Sequence, residues 1–223
     1  MRKLAIISMV VFFMAGFISI AFFQVSATSK TGFHQKFNFT AQNIEINTID
    51  AHIKVQKKEV DKIHLEYAGF VERPVGFTRV PELKVKHLNN LTRIKTRNSL
   101  NYFVFNKFET LNITLPKDFN GKLSLKTTRG NIDIDSWLEH SDIKAIGTDI
   151  KTPDATYIKI KTVSGDINAG KVSRGHFETI SGDVSIKATG INYTTVSGHF
   201  TGKMVPGNAV LIKTTSGNLH IKD

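Results

Sequence analysis

Four near-copies of one six-residue phrase crowd the last third of the chain: "TVSGDI" from Thr162, "TISGDV" from Thr179, "TVSGHF" from Thr195 and "TTSGNL" from Thr214. Two looser copies precede them, "TTRGNI" from Thr127 and "AIGTDI" from Ala145, where Thr148 replaces the glycine, and a fainter one, "TIDAHI", starts at Thr48. The apolar residues that close the six clear copies are Ile132, Ile150, Ile167, Val184, Phe200 and Leu219, at intervals of 18, 17, 17, 16 and 19 residues. A nearly constant period of this kind marks an architecture built by stacking one unit.

Seven residues before each closing residue stands another apolar side chain: Leu125, Ile143, Ile160, Phe177, Tyr193 and Ile212, with Ile46 before Ile53 in the faint copy. Seven is odd, and side chains alternate faces along a strand, so both positions face one interior only if the alternation breaks once between them. Glycine reaches positive φ at little steric cost and Asp or Asn suits a turn beside it. The break is therefore expected at the Ser-Gly-Asp step, with corners at Gly130, Gly165, Gly182, Gly198 and Gly217. On that placement Thr162 and Ser164 face inward on one arm, Ile167 and Ala169 on the other. A break at Lys161-Thr162 would instead put Val163 and Gly165 inside.

The unit is too long for a nonapeptide calcium solenoid, and it lacks the helical apolar period of leucine-rich or tetratricopeptide arrays. A parallel β-solenoid fits, all-β, with like residues stacked at about 4.8 Å per rung, so that six rungs make a rod of roughly 30 Å.

Ahead of the repeats, Arg2 and Lys3 precede an apolar run from Leu4 to Phe23 that only Ser8, Gly16 and Ser19 interrupt, followed by "QVSATSK". This reads as export, by a signal peptide or a retained membrane anchor over residues 1–27, and the leading positive charges place the body outside the cytoplasmic membrane. Residues 28–36 are polar and expected to form a stalk. The alternating segments "FNFTAQNIEINTIDAHIKVQ", "DKIHLEYAGF", "LNYFVFNKF" and "LNITLPKDFNGKLSLKTT" read as strands, with a poorly patterned stretch around Pro74 and Pro81. Residues 37–120 are expected to be degenerate rungs and cap, and 121–223 regular rungs, since the end of an array must hide its open sheet edge.

Cysteine is absent, which excludes disulfides and thiolate metal sites, and fits a bacterial envelope. The formal charge is +11, or +9 without Arg2 and Lys3. A basic body outside a membrane is attracted to anionic wall polymer or lipid headgroups, or meets an envelope protein; export and the scatter of the lysines argue against nucleic acid. Lysines also keep exposed strands from sticking to one another, with no partner at all.

The pattern T-[VIT]-S-G-[DNH]-[IVFL], led in by "NTIDAHIKV" and by "LNITLPKD" into "LKTTRGNIDI" after one export segment, resembles the bacterial putative-adhesin family of envelope β-solenoids. The resemblance covers about Phe37 to Asp223. It implies a right-handed β-helix in a membrane-attached or secreted protein, a domain of unknown function for which adhesion is a label. Thr148 and His199 depart from the pattern.

Asp133, Asp149, Asp166 and Asp183 lie near the corners and could line up as a carboxylate row. Catalysis needs two or three such groups converging on one bond, and His199 and Asn218 interrupt the row. Asp166 and Asp183 are kept as candidates for binding a cation or a sugar, beside their plain role as turn residues. The eight histidines show no metal-ligand spacing, and no base accompanies the repeated serines. No cofactor is expected. Phe103, Phe105 and Phe108 are expected to bury against the cap; left exposed, they would form a docking surface. The expected function is a non-enzymatic envelope protein that offers a surface for adhesion or for wall-polymer or partner contact. The alternatives are an accessory of envelope-stress signalling and, last, a polysaccharide-acting enzyme.

Overall fold

The computed structural model describes residues 28–76, 79–97, 104–188, 190–204, 210–216 and 218–222, and all regular structure among them is strand. In chain order the strands are β1 (Thr28–Phe39), β2 (Asn43–Asn47), β3 (His52–Lys58), β4 (Ile63–Pro74), β5 (Glu82–Leu88), β6 (Leu91–Arg97), β7 (Asn106–Pro116), β8 (Lys122–Lys126), β9 (Ile132–Ile134), β10 (Leu138–Lys144), β11 (Ile150–Thr152), β12 (Ala155–Lys161), β13 (Ile167–Ser181), β14 (Val184–Ala188), β15 (Ile191–Ser197), β16 (Phe200–Met204), β17 (Val210–Ser216) and β18 (Leu219–Lys222). The hydrophobic run of residues 1–27, with its expected helix, lies outside the described residues, as do Phe103 and Gly217.

The strands pair into two parallel stacks, giving a β-solenoid-like spiral. First arms stack in the order β6, β2, β8, β10, β12, the second half of β13, β15 and β17. Second arms follow as β7, β3, β9, β11, the first half of β13, β14, β16 and β18. The register aligns Ile94, Ile46, Leu125, Ile143, Ile160, Phe177 and Tyr193 in one column, and Leu111, Ile53, Ile132, Ile150, Ile167, Val184 and Phe200 in the other. Ile160 and Ile167, seven residues apart, are 0% and 1% exposed and share the interior.

The corner between the arms uses each residue of the repeated phrase. The Thr162 hydroxyl donates to the Ser164 carbonyl at 2.8 Å, closing the turn from inside, and Thr179 does the same to Ser181 at 3.0 Å. Gly165 has φ +110° and Gly182 φ +132°. A Cβ on Gly165 would lie 2.2 Å from the Thr148 carbonyl oxygen one rung down, and one on Gly182 would lie 2.3 Å from that of Gly165. Only hydrogen fits there, because neighbouring rungs are held at strand spacing. Gly130 and Gly198 also have positive φ, whereas Thr148 does not. Val163, at 42% exposure, points out, so the alternative break at Lys161-Thr162 is excluded; Ser164 is half-buried, its hydroxyl donating to the Ile146 carbonyl.

The N-terminal part departs from expectation in two places. Residues 28–36 are not a stalk: they begin β1, which pairs antiparallel with β4 from Thr28–Pro74 to Phe39–Ile63. Half of their side chains turn toward the body, and Phe33 and Phe37 pack against the core. "NIEINTIDAHIKV", which holds the faint copy of the phrase, is one of the expected rungs, but it stands out of order. β2 and β3 form a complete rung inserted between β6–β7 and β8–β9, so rung order differs from chain order. The cap consists of antiparallel strands: β4 and β1 beyond β7, and β5 beyond β6. The Leu83 amide donates to Gln35 Oε1 at 2.9 Å, joining the two covered edges.

Candidate functional site

The corner carboxylates form a ladder. Asp149 Oδ1 accepts the Asp166 amide at 3.0 Å, Asp166 Oδ1 that of Asp183 at 2.9 Å, and Asp183 Oδ1 that of His199 at 2.9 Å. His199 Nδ1 then accepts the Asn218 amide at 3.0 Å. Asp166 and Asp183 are thus exposed but each commits an oxygen to the next rung, and no group of three or more metal-ligating side chains occurs among the described residues. Beside them the second residue of each phrase makes an outward ridge of Ile146, Val163, Ile180 and Val196, each between 42% and 51% exposed.

The outer surface of the first-arm stack carries a column of lysines. Register places Lys84 opposite Lys95, then Asn47, Lys126, Lys144, Lys161, Glu178, Thr194 and Lys213, one per strand. Lys126 Nζ reaches Glu45 at 3.5 Å and Lys161 pairs with Glu178. Hydrogen bonds from Lys161 and then from the His176 ring hold the Glu178 carboxyl below its ordinary range. Lys84, Lys95, Lys144 and Lys213 have no acidic partner among the described residues. Like charges directly opposite one another destabilise a sheet, so a bound polyanion would relieve a cost the fold carries. The column escaped the sequence reading, yet its signal is plain: Lys126, Lys144 and Lys161 directly follow the inward Leu125, Ile143 and Ile160 of the seven-residue pattern, Lys95 follows the inward Ile94, and alternation sends them out.

Phe105 is not buried as expected, and Phe108 is exposed beside it in sequence. Phe105 is 56% and Phe108 46% exposed. Leu111, Ile113 and Leu115 face the core from β7, so alternation turns Glu109 and Lys107 inward and Phe108 outward. Phe108 stacks on Phe70 with ring centroids 6.2 Å apart and lies 5.4 Å from the His52 ring, while Lys30 Nζ sits 3.7 Å over Phe70.

Beneath this cluster is a buried polar network. The Tyr67 hydroxyl donates to Glu109 Oε2 at 2.7 Å, Lys107 lies 3.4 Å from Glu109 Oε1, and Asp50 is paired with both Lys107 and Arg129. Burial, with the Glu109 charge beside it, pushes the Tyr67 hydroxyl far up. Burial works against the Asp50 carboxylate, but hydrogen bonds from Arg129 and Lys107 outweigh it and hold the group below its usual value. The network pins β7 to the corners of the two rungs above it. At the opposite end of the arms, a cleft of about 830 Å³ is lined by Thr40, Gln42, Glu59, Lys62, Lys117 and Asp118. Its charges are mixed, and Glu59 is paired with Lys117 at 2.5 Å.

The fold has solved relatives. A putative adhesin from Bacteroides fragilis NCTC 9343 is similar over 87% of this chain and 98% of its own, with 17% identity and a TM-score of 0.55. A putative adhesin from Parabacteroides distasonis ATCC 8503 is similar over 86% of this chain and 97% of its own, with 15% identity and a TM-score of 0.44. No curated protein matches the sequence. Residues 41–223 match the family described as Toastrack DUF4097, which spans both the inserted first rung and the whole glycine-cornered stack. The chain belongs to the Toastrack family DUF4097.

Proposed function

We propose that the chain is a non-enzymatic protein of the bacterial cell envelope, exported by its N-terminal apolar run and anchored outside the cytoplasmic membrane or released there. Its rigid stack lays a lysine-bearing face against anionic wall polymer. The observation that carries this reading is the register-aligned column from Lys84 to Lys213, with four lysines lacking acidic partners among the described residues. Phosphate-bearing polymers repeat negative charge along a chain, and a column with lysine at six of its nine strand positions meets them with many weak, salt-sensitive contacts. Adhesion, the activity in the name of the Bacteroides fragilis neighbour, is what such a face does when the polymer belongs to another surface. The absence of catalysis is supported by Asp149, Asp166 and Asp183, each tied to a neighbouring amide instead of converging with another on one point.

The test is binding of the full chain to purified poly(glycerol phosphate) as salt is varied. Lys95→Gln, Lys144→Gln and Lys213→Gln together are expected to weaken binding and flatten its salt dependence, with unfolding unchanged. Binding indifferent to all three would refute the assignment.

A second reading, an accessory of envelope-stress signalling, is favoured by the apolar ridge at Ile146, Val163, Ile180 and Val196, which suits a protein partner. Val163→Ser with Ile180→Ser would then alter stress-gene expression while leaving polymer binding intact.

A further inference from the structure

The exposed aromatic cluster lies where the chain enters the body. Thr28 pairs with Pro74 and Lys30 with Glu72, the Phe105 amide donates to the Glu72 carbonyl at 2.9 Å, and Phe70 stands opposite Phe108. The apolar run ends at Phe23, leaving Gln24 to Ala27 before β1. Four residues span at most about 14 Å. With the expected stalk replaced by a strand paired along all 12 of its residues, nothing longer separates this end of the body from whatever holds the run.

We propose that Phe70 and Phe108, with Lys30, form a foot that docks on the lipid surface of the membrane beside the anchor. The proposal rests on the reading of residues 1–27 as a retained anchor. Phenyl rings settle at the boundary of headgroups and acyl chains, some 5–10 Å deep. Lys30, already over the Phe70 ring, meets the lipid phosphates at the level above, as long basic side chains do at interfaces. Charge complementarity favours lipid over a second copy: the body carries +9, and a self-paired foot would bring two copies of Lys30 together. Docking would fix the stack's tilt on the membrane and so decide which face, lysine column or corner ridge, looks outward.

The experiment uses the full chain reconstituted into vesicles of phosphatidylethanolamine and phosphatidylglycerol, with some lipids brominated near the headgroup end of their acyl chains. Phe108→Trp is made in a Trp137→Phe background, and the native chain, whose single tryptophan is Trp137, serves as reference. The indole introduced by Phe108→Trp is expected to emit to the blue and lose most of its emission to bromolipid, while Trp137 loses little. Red, unquenched emission would overturn the proposal, because the foot would then be in water. Blue emission without bromolipid quenching would overturn it too, showing the foot covered by protein. Phe70→Trp repeats the measurement should the first variant misfold. Intact mass of the chain extracted from cell membranes reports separately on the anchor: a chain beginning near Thr28 would refute the anchor reading and withdraw the tether from beneath the proposal.

Discussion

Asp166 Oδ1 accepts the backbone N–H of Asp183 at 2.9 Å, one rung away. The same bond joins Asp149 to Asp166 and Asp183 to His199, and His199 continues it to Asn218 through Nδ1, which requires the ring hydrogen on Nε2. What looked like a broken carboxylate row is an unbroken row of acceptors, so histidine and aspartate serve alike.

That role predicts the consequence of removing one member. Asp183→Ala leaves the His199 amide without its acceptor and should lower stability by about 1 kcal/mol, the usual net worth of such a bond. Asp183→Asn keeps an oxygen in place and should stay near native. Thermal unfolding followed by circular dichroism distinguishes them, and an Asn variant as unstable as Ala would mean that the charge itself matters.

Glycine at the corner should be irreplaceable for reasons of contact beyond φ. Gly76 has φ +98° and nothing within 4 Å of a Cβ, whereas Gly182 faces the Gly165 carbonyl at 2.3 Å. Gly76→Ala is expected to cost about 1 kcal/mol, the left-handed penalty alone. Gly182→Ala should cost roughly 3 kcal/mol or more, since an adjacent rung must shift as well. Equal denaturant midpoints for the two would contradict the stacked-corner geometry.

The Asp50 carboxylate gives stability a pH signature. Its folded pKa lies below its unfolded one, so its contribution is complete above the unfolded value near 3.9 and disappears as pH falls through the folded value. Unfolding midpoints should therefore drop on acidification below about pH 4. Asp50→Asn should flatten part of that drop while costing on the order of 2 kcal/mol at neutral pH, because Lys107 and Arg129 lose charge-assisted hydrogen bonds to Asp50 while Lys107 keeps Glu109. An unchanged acid profile in the variant would remove Asp50 from the account.

Tyr67→Phe isolates the neutral part of the same network. Glu109, 1% exposed, would lose the hydroxyl that donates to it, at about 2 kcal/mol. A variant as stable as the parent in urea unfolding would show that Glu109 finds other partners.

From local order alone the chain dictates its rungs. The seven-residue gaps, the inward apolar columns and the glycine steps at 165 and 182 follow from alternation and from the sterics of positive φ, both properties of a few consecutive residues. Even much of the lysine column is written in them, since Lys126, Lys144 and Lys161 follow the inward Leu125, Ile143 and Ile160. What the sequence leaves open is which strands meet. Nothing local tells that β2 and β3 slide between β6–β7 and β8–β9, because the inserted rung has the same pattern as its neighbours, and pairing depends on loop paths and on edges that must be covered. Nothing local distinguishes a polar stalk from β1 either, since its partner β4 is remote in sequence. The aromatic cluster belongs to the same class: alternation on β7 turns Phe108 outward, but only the antiparallel pairing of β4 brings Phe70 and Lys30 to it. Short-range geometry shapes the coil, and long-range pairing of edges places the cap, the foot and the faces the protein presents.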